Sequence, residues 1–134
     1  MNGFLGTYSV SLDDKGRLNV PVKFRTLLEQ HHSPKVVVSV GKATMGSGYL
    51  KVFSQPEWDN EVEKLSHLSA FDEENQKKLR EIYPNAAECE IKSGKILIPI
   101  FQREAAGLQK EVWIKAMGNR FDLWAPDRWE KENG

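Results

Sequence analysis

The stretch Gly16-Arg17-Leu18-Asn19-Val20-Pro21-Val22-Lys23-Phe24-Arg25 returns 78 positions later as Gly94-Lys95-Ile96-Leu97-Ile98-Pro99-Ile100-Phe101-Gln102-Arg103. In both copies a glycine and a basic residue open a short apolar run, a proline closes it, and an arginine follows one helical turn later. Further on, Phe53-Ser54-Gln55-Pro56-Glu57-Trp58 answers Trp124-Ala125-Pro126-Asp127-Arg128-Trp129 at an offset of 71, so the two units keep their order and differ by insertions. A repeat of this kind governs the reading of the whole chain. It points to a mainly β protein with short helices, built from two copies of one small unit.

Each copy reads as strand, tight turn, strand, short helix and hairpin. Thr7 to Leu12 alternates polar and apolar residues, Asp13-Asp14-Lys15-Gly16 has turn chemistry, and Arg17 to Val20 is a short strand. Pro21 suits the first position of a helix over Lys23 to Gln30. Pro99 to Ala106 repeats the pattern, with Gly107 as its stop. Lys35 to Val40 pairs with Tyr49 to Phe53 across a glycine-rich loop, and Glu111 to Met117 with Arg120 to Trp124 across Gly118-Asn119. Ser54 with Glu57 fits a capping box for a helix reaching about His67, and Asp72 caps a second one ending before Pro84. The expected organisation is a first unit over 7–54, a helical insert over 55–83 and a second unit over 84–128. The insert helices are amphipathic and acid-rich, which suits packing or subunit contact. Units of about 50 to 60 residues bury little apolar surface alone, so a shared core or an oligomer is expected.

Composition narrows the class. The chain of 134 residues is 40% hydrophobic and 28% charged, ordinary for a globular protein. No run approaches the roughly 20 apolar residues of a membrane span, and Met1 to Leu12 lacks a secretory pattern, so a cytoplasmic protein is expected. Net charge is zero but uneven. Eight acids, Glu57, Asp59, Glu61, Glu63, Asp72, Glu73, Glu74 and Glu81, face only Lys64, Lys77, Lys78 and Arg80, which leaves residues 57–81 at −4 and the remainder at +4. A local excess of this kind steers an anion irrespective of the total.

The turn Asp13-Asp14-Lys15-Gly16-Arg17 sets two cations beside a glycine, with Lys23 and Arg25 following. Lysine and arginine neutralise duplex phosphates, and arginine also makes a bidentate contact to guanine, so one tip can supply affinity and sequence choice. Asp13 would repel phosphate; its expected task is to hold Arg17 or the turn's N–H groups. An ordinary solvated turn with incidental charges is the competing reading, weakened by the duplication. His31-His32 cannot easily aim two neighbouring rings at one ion, and Cys89 stands alone between Glu88 and Glu90, whose charges raise a thiol pKa, at an alternating position that suggests a buried strand residue. Neither is read as a metal or catalytic group. Trp58, Trp113, Trp124 and Trp129 read as core or interface anchors. No phosphate-binding loop, dinucleotide fingerprint or Ser-His-Asp pattern is present, so no cofactor, small-molecule substrate or enzymatic activity is expected.

These residues resemble the MraZ family of bacterial transcriptional regulators, whose chains carry two tandem AbrB-like units. The resemblance covers nearly the whole chain. It rests on Leu12-Asp13-Asp14-Lys15-Gly16-Arg17-Leu18 with Pro21 and Phe24-Arg25, then Ala87-Glu88-Cys89-Glu90, Ile96-Leu97-Ile98-Pro99, Ala106-Gly107-Leu108, Lys110-Glu111-Val112, Gly118-Asn119-Arg120, Trp124 and Trp129. It implies that the two units form one double-psi-type β-barrel. It also implies nucleoid-associated, ring-shaped homo-oligomers that bind short direct repeats of double-stranded DNA upstream of the division and cell-wall operon.

The family's DNA-contacting motif is an aspartate, three residues and an arginine, intact here as Asp13 to Arg17. The second copy, Ile91-Lys92-Ser93-Gly94-Lys95, is one residue shorter, lacks the aspartate and carries lysine for arginine. The expected DNA-binding set is therefore Lys15, Arg17, Lys23, Arg25, Lys92, Lys95 and Arg103, with Asp13, Gly16 and Gly94 supporting the turns. The first turn would read bases and the second hold backbone. Two other classes stay open: an AbrB-like module for a protein partner, in an antitoxin or recruitment role, which the acidic insert favours, and an enzyme on the same kind of barrel.

Overall fold

The structure, a computed structural model, describes residues 3–134. Among them are eight strands and five α-helices: β1 (Thr7–Ser11), β2 (Arg17–Asn19), α1 (Val22–Gln30), β3 (Lys35–Lys42), β4 (Gly48–Ser54), α2 (Gln55–Leu65), α3 (Glu73–Ile82), β5 (Ala87–Lys92), β6 (Lys95–Leu97), α4 (Ile100–Ala106), β7 (Glu111–Ala116), β8 (Arg120–Trp124) and α5 (Pro126–Asn133). A 3₁₀ turn, Tyr83–Asn85, precedes β5.

The strands form one sheet in the order β1-β7-β8-β4-β3-β5-β6-β2, and a bridge between Leu12 and Leu18 brings its two ends together as a barrel. The two units are interleaved in it. Hairpins β3–β4 and β7–β8 are internal to a unit, whereas β1–β7, β3–β5, β4–β8 and β2–β6 join one unit to the other. Each crossing is either its own counterpart or matches another under the repeat, so the barrel has a pseudo-two-fold axis running between β4 and β8 and between β2 and β6.

Alternation decides the core. Inward positions carry Leu18, Val36, Val38, Leu50, Val52, Ile96, Ile98, Val112, Ile114, Phe121 and Leu123, all buried, while most of their neighbours along the strands face outward or are covered by helices. Phe4, Phe24 and Phe121 meet with ring centroids 5.0–5.2 Å apart. The segment before β1 is thus part of the core, held by Phe4 N–H to Gly118 O at 2.7 Å.

Helix starts differ from the sequence expectation. Pro21 and Pro99 are N-cap residues with ψ of 142° and 148°, so they carry the extended chain up to the helix, which begins one residue later. Hairpin strands β3 and β4 run longer than expected, to Lys42 and from Gly48. Helix α5 was not anticipated. It is the counterpart of α2, and both follow the last strand of a unit with proline in their first turn. Trp58 on α2 packs on Phe53, and Trp129 on α5 meets Trp124 edge-on at 5.3 Å.

Candidate nucleic-acid interface

Strands β2 and β6 make a three-residue antiparallel ribbon that places Arg17 opposite Leu97 and Asn19 opposite Lys95. Residues opposite one another project to the same side, so these four share the outer face while Leu18 and Ile96 point into the core. The two glycine turns sit at opposite ends of this ribbon. At about 3.3 Å per residue, their bases are separated by on the order of 10 Å.

The turn between β1 and β2 is a three-residue loop. Asp13 N–H donates to Arg17 O and Gly16 N–H to Asp13 O, each at 3.0 Å, and Gly16 has φ of 84°. This is a type I turn closed by a left-handed residue, a position that suits glycine. Asp13 Oδ1 accepts from the backbone N–H groups of Lys15 (3.0 Å) and Arg17 (2.9 Å), and Oδ2 from Arg17 Nε at 2.7 Å. The Arg17 N–H, foremost among these contacts, holds the carboxyl below its ordinary pKa. The pair is substantially exposed, so its worth lies in orientation more than stability. Asp13 engages only Nε, and both terminal nitrogens of Arg17 lack a protein partner among the described residues.

The turn between β5 and β6 is built differently. Lys92 pairs with Lys95 around Ser93-Gly94, and both loop residues have positive φ, 51° and 75°, the signature of a type I′ hairpin. The loop is one residue shorter than the first, and among the described residues no carboxylate lies within ion-pair distance of the Lys95 side chain. Lys92 Nζ lies 3.3 Å from Glu90. Lys15 and Lys92 are exposed and Lys95 is half-buried.

Arg25 and Arg103 stand elsewhere than at the tips. A Cβ added to Gly16 would fall 2.6 Å from Arg103 Cζ, and one added to Gly94 would fall 2.6 Å from an Arg25 terminal nitrogen. Each arginine thus lies over the turn of the other unit. Backbone contacts cross in the same way: Ile98 N–H donates to Gly16 O and Val20 N–H to Gly94 O, both at 2.9 Å. Arg103 Nε donates to Ile98 O at 3.0 Å, whereas Arg25 Nε is buried without a hydrogen-bond partner among the described residues. Lys23 is exposed on α1, at the rim of an apolar groove lined by Leu5, Tyr8, Val22 and Leu27.

The remaining candidates have structural surroundings. Cys89 is buried on β5, and its thiol is pushed up to about 11, first by burial and then by Glu88. His32 has φ of 52° just past α1 and donates its N–H to Glu29 O, while Ser33 N–H reaches Leu28 O, a Schellman cap. Among the described residues, no three His, Cys, Asp or Glu side chains group to hold a metal, and no helix is long and apolar enough to cross a membrane. Gln102 escaped the sequence reading. Fully buried, it occupies the repeat position of Phe24 and donates to Val38 O (2.8 Å) and Asn85 O (2.9 Å), tying α4 to β3 and to the 3₁₀ turn. A polar residue at an apolar repeat position was the available signal. Asp122 was also missed. It is buried on β8 beside Arg120 (2.9 Å), and burial raises its pKa against the arginine's pull.

A family model described as "MraZ protein, putative antitoxin-like" matches this chain twice, over residues 4–81 and 82–132. The chain is 36% identical over 129 residues to the "Transcriptional regulator MraZ" of Methylococcus capsulatus, covering 96% of this chain and 82% of that protein. The proteins of the same name from Lachnoclostridium phytofermentans and Ligilactobacillus salivarius are 37% and 39% identical to it. Those matches cover 97% and 95% of this chain and 86% and 84% of theirs. Two family matches in tandem fall on the two interleaved halves of one barrel, and the chain belongs to the MraZ family.

Proposed function

We propose that this protein is a sequence-specific DNA-binding transcriptional regulator acting on promoter direct repeats of the division and cell-wall operon. The observation that carries this reading is the first turn, where Asp13 fixes Arg17 through Nε and leaves both terminal nitrogens free on an exposed hairpin. A guanidinium so held offers the fork that matches guanine O6 and N7. Lys15 beside it, and Lys92 and Lys95 on the second turn, supply cations for phosphates. Names carried by relatives from several bacteria support the regulatory role.

A single tip buries little surface, so affinity depends on several tips engaging spaced repeats at once. The proposed assembly is a ring-shaped homo-oligomer, cytoplasmic and nucleoid-associated. Phe71 is 100% exposed, and Leu5, Val22 and Ile100 are more than half exposed, which suits surfaces covered in an assembly. A second reading, a protein-interaction module of antitoxin-like character, is favoured by that same Phe71 beside the acids Asp72, Glu73 and Glu74. A mobility-shift titration with DNA from upstream of the protein's own gene, against a scrambled duplex at equal salt, separates the two. The regulator reading expects tighter binding to the native sequence; equal binding to both favours the interaction module.

A further inference from the structure

The repeat equates Arg25 with Arg103 and Gly16 with Gly94, yet the fold does not pair them within a unit. Arg103 of the second unit lies over Gly16 of the first, and Arg25 of the first over Gly94 of the second. The strand-end N–H groups of Ile98 and Val20 bind the glycine carbonyls across the same boundary. Four contacts therefore form two crossed pairs, related by the pseudo-two-fold axis. Both glycines lie in the left-handed region, where a bare backbone face leaves room for a flat guanidinium.

We infer that Arg103 and Arg25 are positioning residues that brace the DNA turn of the opposite unit, so that base reading by Arg17 depends on Arg103, 86 positions away in sequence. This rests on the DNA reading above for its functional half and on geometry for its structural half. The two braces are unequal. Arg103 fastens its guanidinium to Ile98 O, next to the strand that abuts the first turn, and Asp13 secures that turn from within. The second turn has no aspartate, and the Nε of its brace is buried without a hydrogen-bond partner among the described residues. The turn that carries an arginine is thus the more rigidly held, as base reading requires; the turn that carries lysine needs only charge near a phosphate.

A brace and a phosphate contact make opposite predictions for a conservative substitution. Lysine restores a cation but has neither the planar shape to cover Gly16 nor the same fork geometry. The test uses the full chain with Arg103→Ala, Arg103→Lys, Arg17→Ala and the double variant Arg103→Ala/Arg17→Ala. Amide hydrogen exchange without DNA should speed up at Asp13 to Arg17 in both Arg103 variants and stay unchanged at Lys92 to Lys95. Operator affinity at fixed salt should fall on the order of tenfold in both, with no further loss when Arg103→Ala is added to Arg17→Ala. Recovery of affinity by Arg103→Lys, multiplying losses in the double variant, or faster exchange at the second turn instead of the first would overturn the brace. If exchange follows the crossed pattern while Arg17→Ala leaves operator affinity unchanged, the brace stands and the DNA reading falls.

Discussion

Asp13 and Arg17 could be paired from sequence because they share one turn, where spacing and charge limit what either can do. The turn's hydrogen bonds follow that reading closely. Arg25 and Arg103 share a turn with nothing in sequence; their neighbours are set by β2–β6 pairing, so composition alone placed them with the other cations. Cys89 shows the same limit. Its acidic neighbours and its buried place in an alternating strand were both legible; that β3 is the strand lying against it, and that burial outweighs Glu88 in raising its pKa, were not. Because the folded thiol titrates near 11 against an ordinary 9.0, the folded state holds the proton more tightly. That contribution is complete below pH 9 and is lost as pH rises through the folded value, an alkaline loss of about 3 kcal/mol. Urea unfolding from pH 8 to 11 should show a shallower decline for Cys89→Ala than for the parent chain; parallel declines would contradict this.

At the scale of elements, periodicity and turn chemistry located both hairpins, and capping signals located α2 and α3, whose Ser54 and Asp72 accept from the N–H groups of Glu57 and Glu74. Helix α5 was hidden because five of its eight residues are charged, which leaves little apolar periodicity, and because it opens on Pro126, which reads as punctuation. The ends of α1 and α4 show how one element is specified twice. Both close with a Schellman cap, but α4 uses Gly107 at the left-handed position where α1 uses His32. A side chain there costs about 1 kcal/mol. His32→Gly is accordingly expected to raise stability by up to about that amount, offset in part by the greater freedom of the unfolded chain. Thermal and urea unfolding of the two proteins provide the check, and a loss of stability would show that the His32 side chain contributes something the backbone account omits.

For the whole molecule, the repeat announced two units, but their interleaving was beyond the reach of a local pattern, since β1–β7, β3–β5, β4–β8 and β2–β6 are all long-range pairings. Neither half can close the sheet alone. Fragments 1–83 and 84–134 should each lack a cooperative unfolding transition and regain the near-ultraviolet circular dichroism of the intact chain on mixing; a lone monomeric half with native signal would refute the shared barrel. The same interleaving puts two unlike turns at the ends of one ribbon, one with a fixed arginine and one with lysine. Base reading and phosphate holding would then be separable by substitution. The most direct test titrates the parent chain, Arg17→Ala and Lys95→Ala against native upstream DNA and a scrambled duplex over a range of salt, with oligomer mass measured alongside. The expected result is that Arg17→Ala abolishes the preference for the native sequence with the oligomer intact, while Lys95→Ala weakens both duplexes alike and lowers the salt slope. Unchanged preference in Arg17→Ala, or a selective loss of preference in Lys95→Ala, would contradict the account.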